Sequence, residues 1–252
     1  MSAVNSDSQW NDAEAFVGCR YFPKIDAMRH AITITREAFE QLQRHHRDPV
    51  LRREHHNAAV MHVVWHQQFA IAARGSKQIY IPRASISKDG LASLRDKDNQ
   101  KGYKCRLVWF PRMLLRQMEI LESIGHLRTY SSGSLGRPRC EIDEMPVFYR
   151  TLRENAAKRP QEISREGLLE VTAPFFPFPI NTPRRVMRYL LWERGLSPEY
   201  LDIFMGHWRE RQEPWSRWST LDYGDYLETI RGLVPSILRD LGFNESGTTH
   251  DA

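Results

Sequence analysis

Arg184 and Arg185 stand side by side at the start of a strongly marked helix, and His207 follows the helix after it. The stretch begins Asn181-Thr182-Pro183-Arg184. Thr182 is a good N-cap and Pro183 suits the first helical position. Met187, Leu190 and Leu191 supply an apolar face, and Gly195 is the expected left-handed stop. Ser197-Pro198 opens a second short helix in the same way, Gly206 closes it, and His207 emerges just beyond its end. The arginines occupy a first turn, where the helix dipole is already positive and cations are disfavoured. A docked anion would justify them, and phosphate is the usual one at a helix N-terminus. The alternative is that both point into solvent.

The rest of the chain must position these groups. Its 252 residues suffice for one or two domains with a full core. A formal net charge of +5 permits nucleic-acid binding without demanding it. Cys19, Cys105 and Cys140 are scattered and form no Cys-x-x-Cys pair, so neither a disulfide framework nor a zinc knuckle is indicated, and a reducing cytoplasm is the expected setting. The first residues are polar and acidic, unlike a targeting sequence. The longest apolar run, Val60 to Ala73, is broken by His62, His66, Gln67 and Gln68, so no membrane partner is expected.

Periodicity predicts helices over 36–47 and 57–73, the second with Val60, Val63, Val64, Phe69 and Ile71 on its apolar side. Residues 78–109 read as a small antiparallel sheet, with strands at Ile79-Tyr80-Ile81 and Tyr103–Trp109 around a charged turn from Leu94 to Gly102. A helix opens at Pro111 and stops near Gly125, residues 129–140 form a loop, and a last amphipathic helix covers 221–241. The fold class expected is therefore α+β, predominantly helical, with one small sheet. His45-His46, His55-His56 and the His62/His66 pair raise the question of a metal, but no Glu-bearing HExxH pattern accompanies them, and solvated helix faces explain them more simply.

The ordered set of motifs resembles the catalytic domain of tyrosine recombinases, the phage-integrase family. That family carries a His-x-x-Arg box, an apolar helix ending in glycine, and a Leu-Gly-His sequence. The counterparts here are Asn181-Thr182-Pro183-Arg184, Gly195 and Met205-Gly206-His207. The family also needs an earlier arginine after an apolar helix, which Arg74 supplies, and a lysine on the turn of a small sheet, which Lys97 supplies. The resemblance covers residues 57–243, with 1–56 as an N-terminal segment, partly disordered and helical, and 244–252 as a disordered tail. There are departures. Ala72-Ala73 stands where the arginine box usually has Thr-Gly, and Asn181 replaces a histidine. The interval after His207 carries Trp218 but no tyrosine before Tyr223 and Tyr226.

The resemblance implies site-specific DNA strand exchange through a phosphotyrosine intermediate, with double-stranded DNA as partner and a homo-oligomer assembled on it. It implies Arg74 and Arg184 as a fork clamping the phosphate, Lys97 as general acid for the leaving 5′-oxygen, and His207 as a hydrogen-bond donor. Asn181 takes the place of a proton-handling histidine, and Tyr223 is the nucleophile by default with Tyr226 in reserve. The phosphotyrosyl bond conserves energy, so no cofactor is implied. The alternative is a catalytically degenerate DNA-binding protein of the same fold, which Asn181 and Trp218 favour.

Overall fold

The computed structural model describes residues 24–74, 81, 83–95, 105–131, 174, 176, 178–207, 214–215 and 219–244. The expectations for residues 1–20, for the turn bearing Lys97, for 132–140, for Trp218 and for the tail from 245 lie outside these. Eight regular elements serve below. They are α1 (Ile25–Arg44), α2 (Pro49–Ala70), β1 (Leu91–Arg95), β2 (Cys105–Trp109), α3 (Arg112–Ser131), α4 (Thr182–Glu193), α5 (Pro198–Met205) and α6 (Tyr223–Leu241). The described part is mostly helical with one two-stranded antiparallel sheet, as the periodicity implied. No described helix is long and apolar enough to cross a membrane.

The element boundaries differ from the sequence reading in instructive ways. Helix α2 begins at Pro49 rather than at 57, because Asp48 accepts hydrogen bonds from the backbone of Val50 (2.8 Å) and Leu51 (3.2 Å) and Pro49 supplies the first turn. The boundary drawn between 56 and 57 thus falls inside a continuous helix. Helix α1 begins at Ile25 instead of 36, and Met28, Ala31, Ile32, Thr35, Phe39 and Leu42 line its buried side. Helix α3 runs through Gly125 to Ser131. A glycine within a helix costs about 1 kcal/mol relative to alanine but does not by itself stop it.

The first strand among the described residues is Leu91–Arg95; of the stretch Ile79–Ile81 only Ile81 is described, and it is not in a strand. It pairs from Leu91 opposite Trp109 to Arg95 opposite Cys105. Ile81 needs no strand partner because the Gln67 side chain takes its place. The Gln67 amide donates to the Ile81 carbonyl (2.9 Å) and accepts from the Ile81 N–H (2.7 Å). Gly195 and Gly206 adopt positive φ, 81° and 65°, and end their helices as expected. The cap of α4 is displaced by one residue. Asn181 is the N-cap, without a side-chain cap bond, and Thr182 is already helical and buried.

Helix α2 is the centre of the fold and packs against α1, α3, α4 and α6. Residues 58 to 73 are all buried, polar ones included. His56, His62 and His66 therefore do not lie on a solvated face, which corrects the sequence reading. The His62 ring faces Thr35 Oγ1 through Nδ1 (3.3 Å) and Gln117 Nε2 through Nε2 (3.5 Å). His66 Nδ1 lies 2.6 Å from Gln117 Oε1, and its ring stacks on Phe243 at 4.5 Å. Gln117 Nε2 also donates to the Asn244 carbonyl (3.1 Å). The network joins α1, α2 and α3 to the segment that follows α6. Because an amide N–H can only donate, His62 Nε2 is an acceptor, and because Gln117 Oε1 can only accept, His66 carries its proton on Nδ1.

Burial holds His62 well below the ordinary histidine range, helped by the nearby His66 and Arg36, and pushes His66 down to about 4. Both are neutral in the folded protein while the unfolded chain protonates them near pH 6.5. Stability is therefore full above pH 6.5 and is lost as pH falls toward 4. The His66 shift alone corresponds to about 3 kcal/mol across that window. Urea unfolding at pH 7 and pH 4.5 should show this loss. His66→Asn, which keeps a donor toward Gln117 and cannot titrate, should flatten the pH dependence.

Candidate functional site

The site is built where α2 ends. The N–H groups of Ile71, Ala72 and Ala73 still bond back to the carbonyls of Gln67, Phe69 and Gln68. Ala72 has φ of 45°, the non-glycine residue with a positive φ among those described. That conformation costs an L-residue on the order of 1–2 kcal/mol. It turns the chain out of the helix axis toward Arg74 and leaves the Ala72 carbonyl pointing into the protein. Two guanidinium groups meet that carbonyl: Arg184 Nη1 at 2.6 Å and Arg106 Nη2 at 3.2 Å.

The same two arginines close the C-terminus of α5. A helix leaves its last four carbonyls without intrahelical partners. Here the left-handed Gly206 and the N–H of His207 serve Asp202 and Ile203. Arg106 Nη1 donates to the Phe204 carbonyl (2.6 Å), and Arg184 Nη2 donates to the Met205 carbonyl. Cations are favoured at that end of a helix dipole. This explains how α4 tolerates an arginine in its own first turn: Arg184 is only 7% exposed and its charge is directed at the negative end of another helix. Arg185, by contrast, is exposed.

His207 is thereby set beside Arg184. Its Nε2 lies 3.3 Å from Arg184 Nη2, and its Nδ1 lies 4.0 Å from Asp202 Oδ1. A guanidinium cannot accept, so His207 Nε2 is the acceptor and the ring proton is on Nδ1, toward Asp202. Partial burial lowers the His207 pKa first, then the charges of Arg184, Arg188 and Arg74, against an opposing effect of Asp202. Three cations thus act on one imidazole, and the local potential is positive. Arg74 is half-buried, and its buried Nε finds no hydrogen-bond partner among the described residues.

Of the six residues expected to do chemistry, the fold brings Arg74, Arg184 and His207 into one electrostatic neighbourhood. Lys97 lies outside the described residues. Asn181 is exposed at the start of α4, and its carbonyl accepts from the Arg185 N–H (3.3 Å). Tyr223 opens α6, capped by Asp222. Its ring meets Trp215 edge-on at 5.1 Å, burial raises its pKa, and its charged neighbour is Arg231 rather than the arginines around His207. Tyr226, the reserve nucleophile, is 3% exposed and packs against Tyr200 and Trp215. Burial raises its pKa strongly, so it is held as a neutral core phenol. Among the described residues no group of three or more His, Cys, Asp or Glu is arranged to hold a metal.

Arg106 is the residue that the sequence reading passed over. Only 2% exposed, it shares the inward face of β2 with the buried Val108. The period-2 alternation of a strand puts Arg106 and Val108 on one side. An arginine in phase with a buried valine was the available signal. Arg188, which acts on His207 from the next turn of α4, was equally unremarked.

No protein-family model matches the chain, and neither the curated proteins nor the solved structures compared with it include a match.

Two outcomes follow from this geometry. Arg106→Met removes two charge-assisted bonds to buried carbonyls, so unfolding free energy should drop by about 3 kcal/mol or more in urea titration. An anion bound beside His207 would favour its protonated form, so the lowered pKa should rise when phosphate or DNA is added. NMR titration of the His207 ring should show the rise, and anion affinity should increase as pH falls from 7.5 to 5.5. An unmoved pKa would mean that the anion binds elsewhere.

Proposed function

We propose that this chain is a DNA-binding protein of tyrosine-recombinase type and that Arg74, Arg184 and His207 receive a backbone phosphate. The observation that carries the reading is the 3.3 Å approach of Arg184 to His207 within a field to which Arg74 and Arg188 also contribute. A phosphodiester fits that field by charge. Its non-bridging oxygens suit the planar donor fork of arginine and a histidine that gains a proton when the anion arrives.

In the strand-transfer form of this proposal, the Tyr223 oxygen attacks phosphorus and the bond to the 5′-oxygen breaks. A 3′-phosphotyrosyl link forms, the phenol proton passes to solvent, and the departing 5′-oxygen takes a proton, the role the resemblance gives to Lys97. The arginines stabilise the negative charge that accumulates on the non-bridging oxygens. Asn181 can hydrogen-bond but cannot titrate, so it contributes no proton transfer. A catalytically silent DNA-binding protein is the second reading. It is favoured by the burial of Tyr226 and by the packing of Tyr223 on Trp215, next to Arg231 and not the site arginines.

Binding to a short duplex should weaken steeply with salt, by a log-log slope of about 0.9 for each phosphate neutralised. Arg74→Ala should reduce both affinity and slope. Arg184→Lys is the better probe at the second position, because Arg184→Ala also strips two buried carbonyls of a donor. Unchanged affinity for Arg74→Ala across the salt series would defeat the phosphate-site reading. A nicked suicide substrate separates the two forms: a covalent adduct lost in Tyr223→Phe supports strand transfer, and binding without any adduct supports the silent form.

A further inference from the structure

Helix α4 has two faces. Val186, Met187 and Leu191 are buried against the core, while Arg185, Arg188, Tyr189 and Trp192 are exposed. At 3.6 residues per turn these four fall within an arc of roughly 100°, one continuous stripe. Trp192 is 62% exposed, a large apolar ring left in water. Tyr189 beside it donates its hydroxyl to Glu193 (2.6 Å). Arginine, tyrosine and tryptophan are the side chains that dominate recognition surfaces. The stripe is continuous with the candidate site, for Arg184 lies on the same helix and Arg188 acts on His207.

Resting on the phosphate-site reading, we propose that this outer face of α4 is a track for a nucleic-acid strand whose bases are locally unpaired. Arg185 and Arg188 meet phosphates next to the one held by Arg74, Arg184 and His207, and Trp192 stacks on a nucleobase. The charge of the stripe selects the partner. Its two arginines adjoin a site where three more positive or protonatable groups already converge, and the acidic Glu193 stands at the far end, bonded to Tyr189. The indole selects the state of the strand. A side chain reaches the flat face of a base only where that base is not stacked within a duplex. Trp192 lies eight positions beyond Arg184, a rise of about 12 Å along the helix.

The test uses the full chain and three probes: a short duplex, the same duplex with a bubble of about four unpaired nucleotides, and the corresponding single strand. The unpaired positions carry 2-aminopurine. The wild type should prefer the bubble to the duplex by about tenfold, the worth of one stacked base, and should quench 2-aminopurine. Trp192→Ala should abolish both the preference and the quenching while leaving duplex affinity unchanged, and Trp192→Phe should restore part of each. Arg185→Ala and Arg188→Ala should each lower the salt slope by about one. If Trp192→Ala binds the bubble as the wild type does while Arg74→Ala still weakens duplex binding, the track is wrong and the phosphate site stands. If neither variant alters binding to any probe, both readings fall. If the wild type self-associates without nucleic acid and Trp192→Ala sediments as a monomer, the face is an interface between copies and the track is overturned.

Discussion

The architecture around the candidate site depends on one backbone carbonyl. Ala72, held in a left-handed conformation at the end of α2, directs its carbonyl inward, where Arg106 and Arg184 both donate to it. A buried carbonyl without a donor is costly, and a buried guanidinium is costlier still. Each side of this junction therefore removes a penalty of the other. The same guanidinium groups extend to the carbonyls of Phe204 and Met205, so the ends of α2 and α5, the strand β2 and the start of α4 are tied at one point. The left-handed turn is sustained because these contacts over-determine it, the usual condition for backbone strain to persist beside a functional site.

This junction also shapes the electrostatics. Arg184 serves two purposes: it closes a helix end, and it places a cation beside His207. That dual use is possible because a guanidinium has five N–H groups in a rigid fork, whereas a lysine in its place would offer a single mobile ammonium. His207 registers the result. Its neutral state and lowered pKa follow from partial burial and three surrounding arginines, and its acceptor nitrogen faces Arg184. An imidazole so placed becomes a donor only by taking up a proton, which couples anion arrival to protonation.

Behind the site, the stretch of α2 from residue 58 onward is unusual in being buried on all sides while carrying histidines and glutamines. Several of these polar groups have a specific use. Gln67 substitutes for a strand partner at Ile81, and Gln117 bridges His62, His66 and the backbone of Asn244. A polar network of this kind is directional, so it specifies which surfaces of the helices meet, where purely apolar packing leaves register less defined. It also makes the core sensitive to acid, because the neutral histidines have no room to charge.

How much of this was legible in the sequence can be traced residue by residue. Local chemistry determined the helical character of the chain, the pair α4 and α5 with Gly195 and Gly206 as their stops, the position of His207 just past a helix end, and the last helix. Each follows from short-range rules: caps, left-handed glycines and a period near 3.6. The Asp48-Pro49 start of α2 was equally local and was passed over. Other features were decided only by tertiary contact. The backbone of Ile81 is met by a glutamine from α2, and the strand that pairs with β2 is Leu91–Arg95. The histidines of α2 went inside because partners on α1 and α3 were there to receive them. Arg184 turned inward because the C-terminus of α5 and the Ala72 carbonyl lay within its reach, and the spacing between Arg74, Arg106, Arg184 and His207 contains no record of that convergence. A sequence specifies the groups and their local frames; which carbonyl a buried arginine meets depends on desolvation costs that arise only once the elements pack.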